Sequence, residues 1–277
     1  MGRYPLINAI EHATHHIYLT MYGLTDPTLI DALIKQKKRG CDVKVILEKA
    51  PYRTTKENQK AIQILKANGV LTHLHDQPHQ YMHQKTLIID GHSAWIMTFN
   101  FTHTTFKRLR NFAFITNDSS LIQDLTLQFL ADWNQTLPPP HQSALTFSPL
   151  DSRTKLSSWI SGAKESLDLY APTLSDRDIL RALITKAKSG CQIRILSINT
   201  SPKVMRILNK AGIHIERAKH YHVHAKIGVI DHRLAWIGSI NLTRHSLDYN
   251  HECAVMTKNP EVVSSLQRVF ENDWSEH

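Results

Sequence analysis

Two stretches of this 277-residue chain carry a histidine, a lysine and an aspartate in the same frame. MHQKTLIID holds His83, Lys85 and Asp90, and VHAKIGVID holds His224, Lys226 and Asp231. Each is trailed by an asparagine, Asn100 in the first and Asn241 in the second. At the period of two that a strand imposes, the histidine and lysine project from one face. An imidazole beside an ammonium suits a phosphate: the ammonium neutralises non-bridging oxygens, and the imidazole attacks phosphorus or protonates a leaving oxygen. Phosphodiesters cleave very slowly unaided, so covalent and electrostatic terms must carry most of the acceleration. Two imidazoles in opposite protonation states supply a nucleophile and an acid, the acid contributing about 10²- to 10⁴-fold. Two lysines and two asparagines then supply donors for the equatorial oxygens.

A metal centre is the competing chemistry. His73, His75 and His79 precede His83, and His220 and His222 precede His224, at ligand-like alternation. A lysine two residues after each motif histidine repels a cation, and no cysteine or paired carboxylate joins the set. The expectation is therefore no metal and no cofactor. His79 and His220 recur at equivalent places and are expected as substrate-binding rim residues, whereas Tyr81 stands where the second stretch has His222.

The elements that position these residues come as two copies of one unit. RGCDVKVILEK at 39–49 is echoed by SGCQIRILSIN at 189–199, and 82–102 is echoed by 223–243. In the second pair His83, Lys85, Ile89, Asp90, Ala94, Trp95, Ile96, Asn100 and Thr102 all recur at one constant spacing without a gap. Between cysteine and histidine the first copy is longer, and the excess falls around PYRTTKENQK. Each half predicts a helix, a strand, and a helix opened by Asp-Pro or a like cap. A β-branched strand, a further helix, a short strand and an antiparallel hairpin follow. A last strand, NFAFIT at 111–116 in the first copy, and a long helix close the half. Strands alternating with helices predict an α/β fold, with mixed sheets because the hairpin is antiparallel. The expected organisation is a first repeat at 1–136, a Pro- and Ser-rich linker at 137–149 and a second repeat at 150–277, related by a pseudo-twofold with the active site at their interface.

The paired HxKxxxxD motif with a following GSxN resembles the phospholipase D superfamily, and the resemblance covers both halves. It implies two tandem phospholipase D-like α/β/α repeats and a phosphodiesterase working without a metal through a phosphohistidine. One motif histidine attacks phosphorus; the other protonates the leaving oxygen, then activates water or an alcohol. Carried over by position, the site is His83, Lys85 and Asn100 with His224, Lys226 and Asn241. Asp90 and Asp231 support the motif hairpin. Thr98 in MTFN stands where Ser239 stands in GSIN, a departure ascribed to glycine-related backbone freedom. Glu252 in NHE fits the acidic position of the family, while the matching residue of the first copy is Asn111. In two-repeat relatives such an acid holds the histidine of the opposite repeat. Glu252 is therefore expected to orient His83, making His83 the nucleophile and His224 the acid.

Substrate is less legible. A formal charge of +9 and a pI near 9.4 favour anionic partners. Lys107, Arg108 and Arg110 follow the first motif and are expected to meet a polyanion. The halves carry no large insert for a lipid-acceptor pocket, so the main expectation is a nuclease hydrolysing DNA or RNA. The alternative is a phospholipase D or phosphatidyltransferase of the cardiolipin synthase kind acting at a membrane surface, and a non-catalytic nucleic-acid-binding module is the minor one. Both half-sites in one chain predict a monomer without an obligate protein partner. Three cysteines without a CxxC exclude a disulfide framework. No signal-peptide pattern opens the chain and no apolar run reaches the roughly 18 to 20 residues of a membrane span, so a soluble protein is expected.

Overall fold

A computed structural model describes residues 2–52, 54–76, 80–219 and 221–276, with the side chain of Arg108 excepted. The first half runs α1 (Tyr4–Glu11), β1 (His16–Met21), α2 (Pro27–Lys38), β2 (Asp42–Glu48), α3 (Thr55–Ala67), β3 (Leu71–His75), β4 (Thr86–Ile89) and β5 (Ser93–Met97). It ends in α4 (Thr105–Arg108), β6 (Leu109–Arg110), β7 (Ala113–Thr116) and α5 (Ser119–Asn134). The second half runs β8 (Leu145–Ser148), α6 (Ser152–Ser161), β9 (Ser166–Tyr170), α7 (Arg177–Lys188), β10 (Gln192–Ser197), α8 (Pro202–Lys210), β11 (His214–Arg217) and β12 (His222–Val223). β13 (Ile227–Ile230), β14 (Leu234–Gly238), α9 (Arg244–Asp248), β15 (Glu252–Thr257) and α10 (Pro260–Ser275) complete it.

The predicted mixed α/β class holds. One sheet has the order β3-β2-β1-β4-β5-β7 and the other β11-β10-β9-β13-β14-β15-β8. β1, β2 and β3 are parallel, and β4, β5 and β7 continue the sheet antiparallel. The second sheet repeats this with β9, β10 and β11, then β13, β14 and β15. Both Asp-capped helices form as the sequence predicts: the Asp26 carboxylate accepts from the N–H groups of Thr28 and Leu29, and that of Asp176 from Asp178 and Ile179. Each unit closes its own apolar core, around Ile17, Leu19, Val45 and Leu87 in the first and Leu167, Ile193, Ile195 and Trp236 in the second. Cys41 and Cys191 are small buried members of those cores. Among the described residues no helix is long and apolar enough to cross a membrane.

Two expected boundaries move. The linker at 137–149 ends in a strand, because Leu145–Ser148 alternates into the second sheet as β8 beside β15. The strand predicted at 111–116 is split: β7 stays in the first sheet, whereas Leu109–Phe112 packs in the second unit, where β6 runs parallel to β12. The two compact units are therefore 1–108 with 113–145, and 109–112 with 146–277. A local period of two cannot report that the chain changes sheets at Asn111–Phe112.

Candidate functional site

The motif histidine and lysine do not lie within the hairpin strands, as their alternation suggests, but in the extended segments just ahead of β4 and β13. Each segment is held at its far end by the motif aspartate. The Asp90 carboxylate accepts from the N–H groups of Thr14, His15 and His16 and from the Thr14 hydroxyl, at 2.7–3.0 Å. Asp231 accepts from the N–H groups of Lys164, Glu165 and Ser166 and pairs with Arg233. Both aspartates sit at positive φ, 53° and 49°, in the hairpin turn. Burial alone would raise the Asp90 pKa, but the hydrogen bonds from Thr14, His16 and His15 outweigh it and bring it down to about 2. The aspartates thus bind the turn to the start of β1 and of β9. They anchor the hairpin and stay anionic while doing so.

In the first unit Lys85 is 1% exposed, an interior ammonium whose Nζ donates to the carbonyl of His83. The Tyr22 ring packs edge-on to His83 with centroids 4.9 Å apart, and Lys85 Nζ lies 5.3 Å from the same ring. Glu48, at the end of β2 and also buried, accepts at 2.8 Å from the N–H of Met82, the residue before His83, and at 3.0 Å from Ala50. Burial pushes the Glu48 carboxyl up against the opposing pull of those hydrogen bonds. Buried Asn58 joins the same corner, accepting from the N–H of Leu24 and donating to the carbonyls of Tyr22 and Glu48. The side chain of Asn100 lies against Gly23, with its Oδ1 buried. The site therefore gathers at the C-terminal ends of parallel strands, where open α/β sheets place ligands.

In the second unit Lys226 is equally buried and donates to the His224 carbonyl at 2.6 Å, with Nζ 3.3 Å from His224 Nε2. Burial lowers the Lys226 pKa to about 7, opposed by the charge of Glu252. Glu252 is buried at the start of β15 and accepts from Asn250 at 3.2 Å. His224 Nδ1 donates to Asn111 Oδ1 at 3.1 Å, so the first copy's counterpart of Glu252 meets the second copy's histidine. Ser239 couples the motif to β15: its hydroxyl accepts from the Cys253 N–H and donates to the Cys253 carbonyl. Gly238 is a matter of space rather than of backbone freedom. A Cβ there would stand 2.4 Å from Ala254, whereas in the first copy Met97 is accommodated at the equivalent place opposite Ala113. Thr98 and Ser239 are both fully buried.

The remaining candidates divide. Arg110 was expected to bind a polyanion, but its guanidinium makes a bidentate pair with Asp273 at 2.6 Å and lies 4.1 Å over Tyr221. That pairing neutralises it and fastens segment 109–112 into the second unit. Lys107 is exposed on α4. His79, His220 and the side chain of Arg108 fall outside the described residues. No group of three or more His, Cys, Asp or Glu among the described residues could hold a metal. Sequence reasoning missed Tyr22, Glu48 and Asn58, which carry no repeated signal because their second-copy counterparts differ.

Comparison with known proteins matches the same two segments. The family described as "Cardiolipin synthase, PLD-like domain" matches residues 6–133 and 156–274. Cardiolipin synthase 1 of Bacillus anthracis is 25% identical over 324 residues, covering 97% of this chain and 64% of that protein. The cardiolipin synthase of Halalkalibacterium halodurans is 27% identical, covering 96% and 62%. The chain thus spans a little under two thirds of the length of these relatives. In fold it is similar to phosphatidylserine synthase of Haemophilus influenzae, with a TM-score of 0.74 at 13% identity over 99% of this chain and 84% of that one. Polyphosphate kinase of Porphyromonas gingivalis gives a TM-score of 0.78 at 17% identity, over 98% of this chain and 47% of that one. Two HxK pairs with buried lysines on repeated mixed sheets, matched in both halves, place the chain by descent: it belongs to the phospholipase D-like family.

Proposed function

We propose that the protein is a metal-independent phosphodiesterase acting on phospholipid, transferring a phosphatidyl group to an alcohol or to water. The observation that carries this reading over the nuclease expected from charge is the resemblance, along nearly the whole chain, to proteins named cardiolipin synthase. Formal charge alone argued for nucleic acid, and it serves an anionic lipid surface equally well.

The residues divide the work as follows. His83 attacks phosphorus, a nitrogen–phosphorus bond forms, and the bond to the head-group oxygen breaks as His224 delivers a proton to it. The incoming alcohol or water then gives its proton to His224 and displaces His83. Lys85 and Lys226, with Asn100 and Asn241, offset charge on the non-bridging oxygens. The assignment of His83 as nucleophile draws support from the partner of His224. Asn111 orients that ring through Nδ1 without lending a negative charge, so the imidazolium gives up its proton more readily than beside a carboxylate. Glu252 in the role of orienting His83 belongs to the same proposal.

The test is an activity panel in EDTA with phosphatidylglycerol vesicles, single-stranded DNA and RNA, wild type beside His224→Ala. Release of glycerol with phosphatidyl transfer to a short primary alcohol, lost in the variant, is expected. Cleavage of nucleic acid with no action on lipid overturns the reading.

A further inference from the structure

The longer connection of the first copy has a structural product. Tyr52, in the stretch by which that copy exceeds the second, is 70% exposed, and its N–H donates at 2.7 Å to the hydroxyl of Tyr22. Tyr81 is 38% exposed and meets the Tyr22 ring edge-on at 5.9 Å. Tyr22 in turn packs on His83 and Lys85. Tyr22 and Tyr81 therefore line a path from the phosphate-binding pair out to solvent, and the Tyr22 hydroxyl fixes the backbone of exposed Tyr52 beside it. Among the described residues the second copy has no such tyrosine set. Pro172 stands at the place of Tyr22 and His222 at that of Tyr81, and the connection after β10 is shorter.

We propose that Tyr22, Tyr52 and Tyr81 form a subsite for the glycerol–acyl-ester arm of the phosphodiester, so that the first unit receives the diacylglyceryl side of the substrate. This rests on the phospholipid reading above. A phosphodiester has two arms, and a lipid's arms are unlike: one is a polar alcohol, the other a glycerol ester with hydrocarbon beyond it. Tyrosine presents an apolar ring with a hydroxyl at its edge, matching ester carbonyls flanked by hydrocarbon. A quaternary ammonium fits badly, because Lys85 already lies over the Tyr22 ring. Polar His222 at the corresponding place in the second copy suits the alcohol arm instead. The tyrosine set thus reads the direction in which the diester lies.

The experiment uses short-chain phosphatidylglycerol kept monomeric, its deacylated counterpart glycerophosphoglycerol, and long-chain phosphatidylglycerol in vesicles. The double variant Tyr52→Ser/Tyr81→Ser, made on the exposed members, is expected to lower the ratio of kcat/KM on short-chain lipid to that on the deacylated diester about tenfold, chiefly through KM. Tyr52→Phe/Tyr81→Phe keeps the rings and is expected to recover most of the ratio. An equal loss on lipid and deacylated diester signals a merely structural role and overturns the subsite. So does a loss confined to vesicles, which marks the tyrosines as a bilayer anchor. Wild type that cleaves oligonucleotides but neither lipid refutes the functional reading itself, and the subsite with it. Wild type active on monomeric lipid with an unchanged double variant refutes the subsite alone.

Discussion

The two half-sites share one motif and its anchors and differ in the side chains set against the histidines. In the first unit His83 is set against a tyrosine, and the chain entering it is held by a buried glutamate at the end of β2. In the second unit His224 is held by a neutral amide, from a segment of the first copy packed beside β12, and its lysine shares a buried region with Glu252. The anchors are the same in both: an aspartate at positive φ accepting three backbone N–H groups. Duplication kept what folds the hairpin and changed what tunes the imidazole. In the proposed two-step reaction that inequality favours one imidazole as nucleophile and the other as acid.

The comparison can be broken most sharply at the histidines. His83→Ala and His224→Ala are each expected to lower kcat on lipid by about 10³-fold or more. On an aryl phosphodiester, whose leaving group departs without a proton, His224→Ala should retain a burst of phenolate release while His83→Ala gives none. Equal bursts in the two variants would abolish the division of roles.

Lys226 offers a thermodynamic test of the second half-site. Its native pKa is about 7 against an ordinary 10.5. Below about 7 both native and unfolded states hold the proton, and the cost of burying the charge is complete. Between about 7 and 10.5 the unfolded chain holds a proton the native lysine lacks, so stability rises with pH across that window. Lys226→Met should therefore be more stable than wild type at pH 6 by about 1–3 kcal/mol, the margin shrinking towards pH 10. Denaturant unfolding at a series of pH values measures it, and a margin independent of pH refutes the shift.

Asn111→Asp sharpens the contrast by giving His224 a carboxylate. The His224 imidazolium should then hold its proton more tightly and the alkaline limb of kcat move up. Turnover near neutrality should fall about fivefold as the acid becomes weaker. An unchanged pH profile would show that the amide does not tune the ring. The smallest difference is expected at the shared anchors. Asp90→Ala and Asp231→Ala should each cost about 1–3 kcal/mol of stability by leaving three N–H groups without their acceptor, with losses alike within about 1 kcal/mol.

Much of this was legible in the sequence because duplication wrote it twice. The HxK pairs, the aspartates and the hairpin repeat at one spacing, the helix caps recur ahead of them in the same order, and residues close in sequence stay close in the fold. Tyr22 and Glu48 were not legible, because β4 inserts beside β1 and carries His83 to the ends of strands formed much earlier in the chain. Arg110 read as a surface cation, since its partner Asp273 lies in the last helix. The excursion of 109–112 was hidden because NFAFIT alternates as one strand whichever sheet receives it. The nuclease expectation leaned on net charge, which speaks to the sign of a partner and not to its class.

The most direct measurement is to quench the enzyme during turnover of phosphatidylglycerol labelled at phosphorus, digest it, and locate the label. A phosphatidyl group on His83 is predicted, with none on His224 and a larger amount in His224→Ala. Label on His224, or no covalent adduct under conditions where lipid is consumed, would contradict the account.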